Sequence, residues 1–182
     1  LAAAADAGTR LFDTADVYGD GRSEKAIGRF LAGRDDRADF TVITKMGRRA
    51  DPHVAEAYTL DNFRRWTDRS RENLGVDTLD LVQLHCPPTP VYADGRVYDH
   101  LRTLQQEGRI DRWGVSVELI DEALTALEQP DLATIQIIVN IFRRRPLKKV
   151  LPVAQERGVG IIARLPLASG LLSGRYTRDT SF

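Results

Sequence analysis

The sequence predicts an α/β chain built as part of a (β/α)8 barrel, and two observations predict it. Strand-like and helix-like stretches alternate along all 182 residues with no composition break and no linker, which argues a parallel sheet. The polar residues Asp13, Lys45, His85, Ser116, Gln136 and Arg164 each fall at or near the outgoing end of a successive strand-like run. An open doubly wound sheet fits the alternation equally well. Only a barrel brings the ends of many successive strands around one mouth. A complete barrel takes about 250 residues, so roughly two strand–helix units are expected to lie outside this stretch.

The elements follow in order. Leu1 to Ala7 reads as the end of a helix stopped by Gly8, and Thr9 to Thr14 as the first strand. Ser23 offers an N-cap and Glu24 a first-turn charge for a helix whose apolar face is Ile27, Phe30 and Leu31. Phe40 to Thr44 is the second strand, rich in β-branched residues and followed at once by Lys45. A lysine at the end of a buried strand is costly unless it has a partner or a task. Thr59 caps a helix to Leu74, with Phe63, Trp66, Ser70 and Leu74 at three- and four-residue steps. Leu79 to Leu84 is the third strand, Val97 to Glu107 a helix stopped by Gly108, and Arg112 to Val117 the fourth strand. A helix from Asp121 to Glu128 precedes the fifth strand, Thr134 to Val139. Pro146 starts a helix that Pro152 kinks and Gly158 stops, and Val159 to Leu165 is the sixth strand.

Composition narrows the function classes. Lys and Arg number 26 and Asp and Glu also 26, which leaves no basic footprint for nucleic acid and no polybasic membrane patch. No window approaches the roughly 18 apolar residues of a membrane span. One cysteine, Cys86, excludes an internal disulfide and suits a reducing cytoplasm. The chain opens on Leu1 inside a helix and closes in a polar loop. The expectation is a single partial barrel domain over 1–182, an interior stretch of a longer protein and inactive by itself.

The stretch Phe12-Asp-Thr-Ala-Asp-Val-Tyr-Gly19 with Gly21-Arg-Ser-Glu24 resembles the signature of the aldo-keto reductases. So do Thr44-Lys45, Asp80-Leu-Val-Gln-Leu-His85, Gly108-Arg-Ile110, Trp113-Gly-Val-Ser116 and Pro166-Leu-Ala-Ser-Gly-Leu-Leu172. Their order and spacing match from about Gly8 to Tyr176, and the set is far more specific than any one motif. The resemblance implies a (β/α)8 barrel entered at its second strand and left after its seventh. It implies an oxidoreductase that reduces aldehydes or ketones with NADP(H), NAD(H) being the other cofactor that such sites take.

Carried over residue by residue, the family's catalytic set falls on Asp13, Tyr18, Lys45 and His85. Reducing a carbonyl needs a hydride on carbon and a proton on oxygen. Tyr18 would supply the proton, although a free phenol with pKa ~10 matches neutral pH poorly. Lys45 would lower that pKa, Asp13 would keep Lys45 charged, and His85 would direct the carbonyl oxygen. The resemblance places the nicotinamide carboxamide on Ser116 and Gln136. Val117 stands where the family often has asparagine, and Arg164 where an aromatic ring commonly stacks. Pro166, Leu167, Ser169 and Gly170 fall in a loop whose backbone amides would approach the pyrophosphate.

Each residue alone has a plainer reading. Asp13 and Lys45 could be a structural ion pair, His85 a satisfied strand-end histidine and Tyr18 a turn residue. Gly19-Asp-Gly21 begins a phosphate loop that is never completed, and a flexible turn explains it better. Cys86 reads as a buried thiol, Arg143-Arg-Arg145 as a solvated loop, and His53 and His100 lack metal-ligand spacing. Two other functions stay open on the residues: a barrel lyase using Lys45 as a Schiff base, and a nucleotide-binding regulatory subunit without turnover. The expected partner is a small carbonyl or alcohol substrate, with oligomeric state unassigned.

Overall fold

The computed structural model describes residues 1–181. Six strands form one parallel sheet in sequence order: β1 (Leu11–Asp13), β2 (Thr41–Met46), β3 (Leu79–His85), β4 (Ile110–Ser116), β5 (Thr134–Ile138) and β6 (Gly160–Arg164). Helices α1 (Ala2–Asp6), α2 (Arg22–Leu31), α3 (Leu60–Leu74), α4 (Gly95–Gln106), α5 (Ile120–Ala126), α6 (Arg145–Lys149) and α7 (Leu151–Glu156) fill the connections. Strictly sequential parallel order is what a barrel wall requires and what a doubly wound sheet lacks.

The predicted elements are present; β2 runs on to Met46, β4 starts at Ile110 and α5 stops at Ala126, and other local differences have identifiable causes. α2 begins at Arg22 behind Gly21, not at a Ser23 cap. Ser23 Oγ is occupied instead as the acceptor from Thr14 Oγ1 at 2.7 Å, because the turn after β1 folds back onto the helix start. α4 starts two residues early because the Asp94 side chain accepts from Arg96 N at 3.0 Å. The helix after Pro146 is two short helices meeting at Val150, as a proline that cannot donate a backbone bond demands. The first strand is shorter than expected, three residues long. Thr59 caps α3 as predicted, its side chain accepting from Asn62 N.

Register decides which side chains share a face, since in-register partners in a parallel sheet point the same way. Asp13, Ile43, Leu81 and Arg112 form one row. Two residues further along comes the row Lys45, Gln83, Gly114, Thr134 and Gly160. Above it stand His85, Ser116, Gln136 and Ile162, then Ile138 with Arg164. The alternate residues face the helices. Phe12, Val42, Val82, Leu84, Trp113, Val115 and Ile135 are buried there with Phe63, Tyr98, Leu101 and Leu104.

The Lys45 row forms a polar floor. Gln83 Nε2 donates to Thr134 Oγ1 at 3.0 Å, reaching past β4 to a strand that is not its neighbour. That contact exists because the residue between them is Gly114, where a Cβ would stand 2.2 Å from Thr134 Oγ1. Side chains two strands apart meet only on the concave side of a strongly curled sheet.

Polar ties seal the outer side. Glu24, fully buried on α2, accepts from Thr44 Oγ1 at 2.5 Å and from Asn73 Nδ2 at 2.8 Å. Asp80 accepts from Val42 N at 2.8 Å and pairs with Arg37. No helix among the described residues is long and apolar enough to cross a membrane.

Candidate active site

Asp13, Lys45 and His85 arrive at the outgoing rim because each is the last residue of its strand to face the concave side. Lys45 is fully buried, yet its ammonium donates to Asp13 Oδ1 and to Thr14 O, each at 2.7 Å. Burial lowers the Lys45 pKa, and the Asp13 carboxylate opposes that shift. Both acceptors lie on the β1 side, so the lysine serves to fix the base of the loop that carries Tyr18.

Tyr18 follows β1 in a tight turn and is 43 % exposed. Its ring meets the His85 ring edge-on at 5.7 Å between centroids, and Lys45 Nζ lies 5.6 Å from the tyrosine centroid. Three of the four predicted catalytic residues thus surround the fourth. The electrostatics differ from expectation. Burial and then the Asp13 carboxylate raise the Tyr18 pKa, while the cations that pull it down most are Arg164 and Arg48. Lys45, though its Nζ lies 5.6 Å from the ring centroid, is not among the charges that act most on the phenol.

His85 is neutral at physiological pH. Burial, then Lys45, Arg48 and Arg164, push its pKa down to about 3. Its Nδ1 is buried without a protein partner. A neutral imidazole with one N–H can direct a carbonyl oxygen but does not compete with Tyr18 as proton donor.

Ser116 and Gln136 are register neighbours, both buried, with Ser116 Oγ donating to Gln136 Oε1 at 3.4 Å. Side by side they offer both donors and acceptors, the pattern a primary carboxamide needs. Val117 is fully buried among the apolar residues behind the sheet, so no third amide contact comes from that position. Arg164 is held by Glu118 Oε1 at 2.6 Å and donates to Cys86 Sγ at 3.3 Å. It is therefore clamped in place by a carboxylate and a thiol.

Pro166, Leu167, Ser169 and Gly170 form the loop after β6. Ala168, Ser169 and Gly170 all have positive φ, 49°, 57° and 96°, and the amides of Ala168, Gly170 and Leu171 donate within the turn, to Leu165 O, Leu167 O and Ala168 O. Arg143, Arg144 and Arg145 are exposed and border a cavity of about 390 Å³ shared with Glu118, Leu119 and Ile138. Among the described residues no group of three or more His, Cys, Asp or Glu gathers as a metal site would require.

Three participants escaped the sequence reading. Asp16 is fully buried and neither carboxylate oxygen has a protein partner. Burial and then Glu24 raise its pKa to about 7, against Arg49 and Arg69. Glu118, two residues after Ser116, anchors Arg164. Arg48, three residues after Lys45, acts electrostatically on both Tyr18 and His85. Only the sequential position of Arg48 past a strand end could have signalled it.

A parallel barrel wall with Asp, Tyr, Lys and His gathered at one rim defines a recognisable class. The chain belongs to the Aldo/keto reductase family, whose sequence profile it matches across residues 1–182. It is 31 % identical to the D-threo-aldose 1-dehydrogenase of a Pseudomonas species, covering 97 % of this chain and 63 % of that protein. The glycerol dehydrogenase of Gluconobacter oxydans superposes with a TM-score of 0.80 at 32 % identity, over 100 % of this chain and 56 % of that one. The aldo-keto reductase of Klebsiella pneumoniae, solved in complex with NADPH, gives 0.76 at 26 % identity over 96 % and 59 % of the two chains. The chain thus spans less than two thirds of each of these proteins.

Proposed function

We propose that this chain carries the catalytic rim of an NADP(H)-dependent oxidoreductase interconverting aldehydes or ketones with alcohols. The observation that carries the reading is the convergence of a buried Lys45 paired with Asp13, a half-exposed Tyr18 and a neutral His85 at one sheet end. The NADPH complex of the Klebsiella pneumoniae relative supports the cofactor.

When bound, the cofactor supplies the hydride that reaches the carbonyl carbon. Ser116 and Gln136 would hold its carboxamide, with the loop of Pro166, Leu167, Ser169 and Gly170 near its phosphates and Arg164 beside the ring. Tyr18 gives its phenolic proton to the carbonyl oxygen as charge develops there. His85, uncharged, donates a hydrogen bond that fixes that oxygen's direction. Lys45 and Asp13 hold the tyrosine loop and balance the charge left when the proton departs.

A Schiff-base lyase is disfavoured by contact geometry. Lys45 Nζ is fully enclosed and committed to two acceptors, so a substrate carbonyl has no approach to it. NADPH consumption against a panel of aldehydes tests the main reading. Cofactor binding without turnover would support a regulatory subunit in its place, and loss of turnover confined to Tyr18→Phe would support the acid assignment.

A further inference from the structure

The turn that carries Tyr18 is tied at its tip as well as at its base. Three residues in succession after Tyr18 have positive φ: Gly19 at 58°, Asp20 at 55° and Gly21 at 84°. The sequence alone suggests a flexible turn there. In the fold its tip is clamped: Arg49 Nη1 and Arg69 Nη2 each lie 2.7 Å from the same oxygen, Asp20 Oδ1. Arg69 Nη2 also donates to Asp20 O at 3.3 Å, and Arg49 Nη1 to Asp16 O at 3.4 Å.

The two arginines come from different elements, Arg49 from the loop after β2 and Arg69 from α3. Helix α3 stands hard against this turn and against α2. A Cβ on Gly21 would lie 2.7 Å from Asn73 Nδ2 and 3.5 Å from Arg69 Nη2, and one on Gly28 would lie 2.6 Å from Leu74 O. Asp20 thus joins the turn to a packed helix and to the end of a buried strand. Tyr18 itself has little to hold it. Its ring meets His85 edge-on and lies near the Lys45 ammonium, and among the described residues no hydrogen bond holds its hydroxyl. The direction of the phenol is therefore set by the backbone turn beneath it.

We propose that Asp20 is a positioning residue for proton transfer: clamped by Arg49 and Arg69, it holds the turn in the geometry that brings Tyr18 against His85. This rests on the oxidoreductase reading above and adds to it a residue that acts through Tyr18. The Asp20 side chain is 76 % exposed, and exposed ion pairs contribute little to overall stability. The clamp therefore acts on local geometry and not on whether the chain folds. Geometry is where a small change counts, since a misplacement of about 1 Å can cost about 100-fold in rate.

The test is a double-variant cycle in the whole protein, with NADPH and the best substrate from a panel of aldehydes. Asp20→Ala should lower kcat by about 10- to 100-fold while Tm moves by less than about 3 °C. Asp20→Glu should restore part of the rate, and Arg49→Met and Arg69→Met, each removing one of the two cations, should each cost less than Asp20→Ala. The deciding comparison is made in Tyr18→Phe, where the proton donor is gone. Adding Asp20→Ala there should change the residual rate by less than about 2-fold. An equal loss in both backgrounds, or a wild-type kcat in Asp20→Ala, overturns the proposal. Amide hydrogen exchange reads the clamp without turnover. Asp20, Arg22 and Ser23 donate within the turn to Val17 O, Gly19 O and Tyr18 O, and in Asp20→Ala their exchange should quicken by about 3- to 10-fold with that of β2 unchanged. Unchanged exchange overturns the clamp. Quickened exchange with no aldehyde reduced by wild type would keep the clamp and overturn the oxidoreductase reading instead.

Discussion

Replacing Lys45 by methionine probes the centre of the site. Methionine matches the stem in length and apolar character, so the packing within the barrel is largely kept. What goes is the ammonium and its two bonds of 2.7 Å, to Asp13 Oδ1 and Thr14 O. Removing one partner of a buried pair costs about 3–5 kcal/mol, but the Asp13 side chain is 35 % exposed and water recovers part of that. About 2–3 kcal/mol for the pair and about 1 kcal/mol for the orphaned carbonyl is a reasonable sum. In a chain of this size it should lower Tm by on the order of 10 °C. Activity should fall too, because an unneutralised Asp13 drives the Tyr18 pKa further up, moving the alkaline limb of the pH–rate profile to higher pH. Thermal melts and a pH–rate series on wild type, Lys45→Met, Asp13→Asn and the double variant measure both effects. If Tm moves by less than about 2 °C, the pair is not the tie described here. An unmoved pH profile would refute the electrostatic link to Tyr18.

Other expectations are sharper in a single number. Tyr18→Phe should cost roughly 10²–10⁴-fold in turnover with little change in Tm, since the ring is half-exposed. Gly114→Ala should destabilise by about 1–3 kcal/mol through overpacking against Thr134, and Thr134→Ala in the same chain should recover part of the loss. Asp16 has a folded pKa of about 7 against ~3.9 for an unfolded aspartate. Between those values the folded state holds a proton that the unfolded state has lost, so Asp16 costs stability as pH rises from about 4 to about 7. Denaturant melts of Asp16→Asn should lack that component and gain on wild type by roughly 3–4 kcal/mol across the window; parallel pH dependences would refute the burial argument.

The strand ends were legible because buried parallel strands are apolar runs, and a charged residue closing such a run has few explanations. That logic placed Asp13, Lys45 and His85, and register then carried Ser116 and Gln136 beside them. What stayed hidden depends on burial and on partners far apart in sequence. Asp16 and Glu24 look like surface acids in one dimension, yet both are enclosed, one tied to Thr44 and Asn73 and the other to nothing. Arg48 and Arg49 are adjacent and chemically identical, and only the fold gives one of them Asp20 and leaves the other free. Ser23 was misread as a cap because the sequence cannot show that Thr14 already claims its hydroxyl.

The bridge from Gln83 to Thr134 across Gly114 divides the concave surface into two territories. Beneath it, a substitution is judged by whether the wall still curls and the neighbouring strands still fit. Above it, at His85, Ser116, Gln136 and Arg164, the positions face the open mouth and whatever binds there. A chain organised this way can carry an arginine in place of an aromatic ring at the rim while the wall below keeps its register. Variation in what the rim accepts is thereby uncoupled from the risk of not folding.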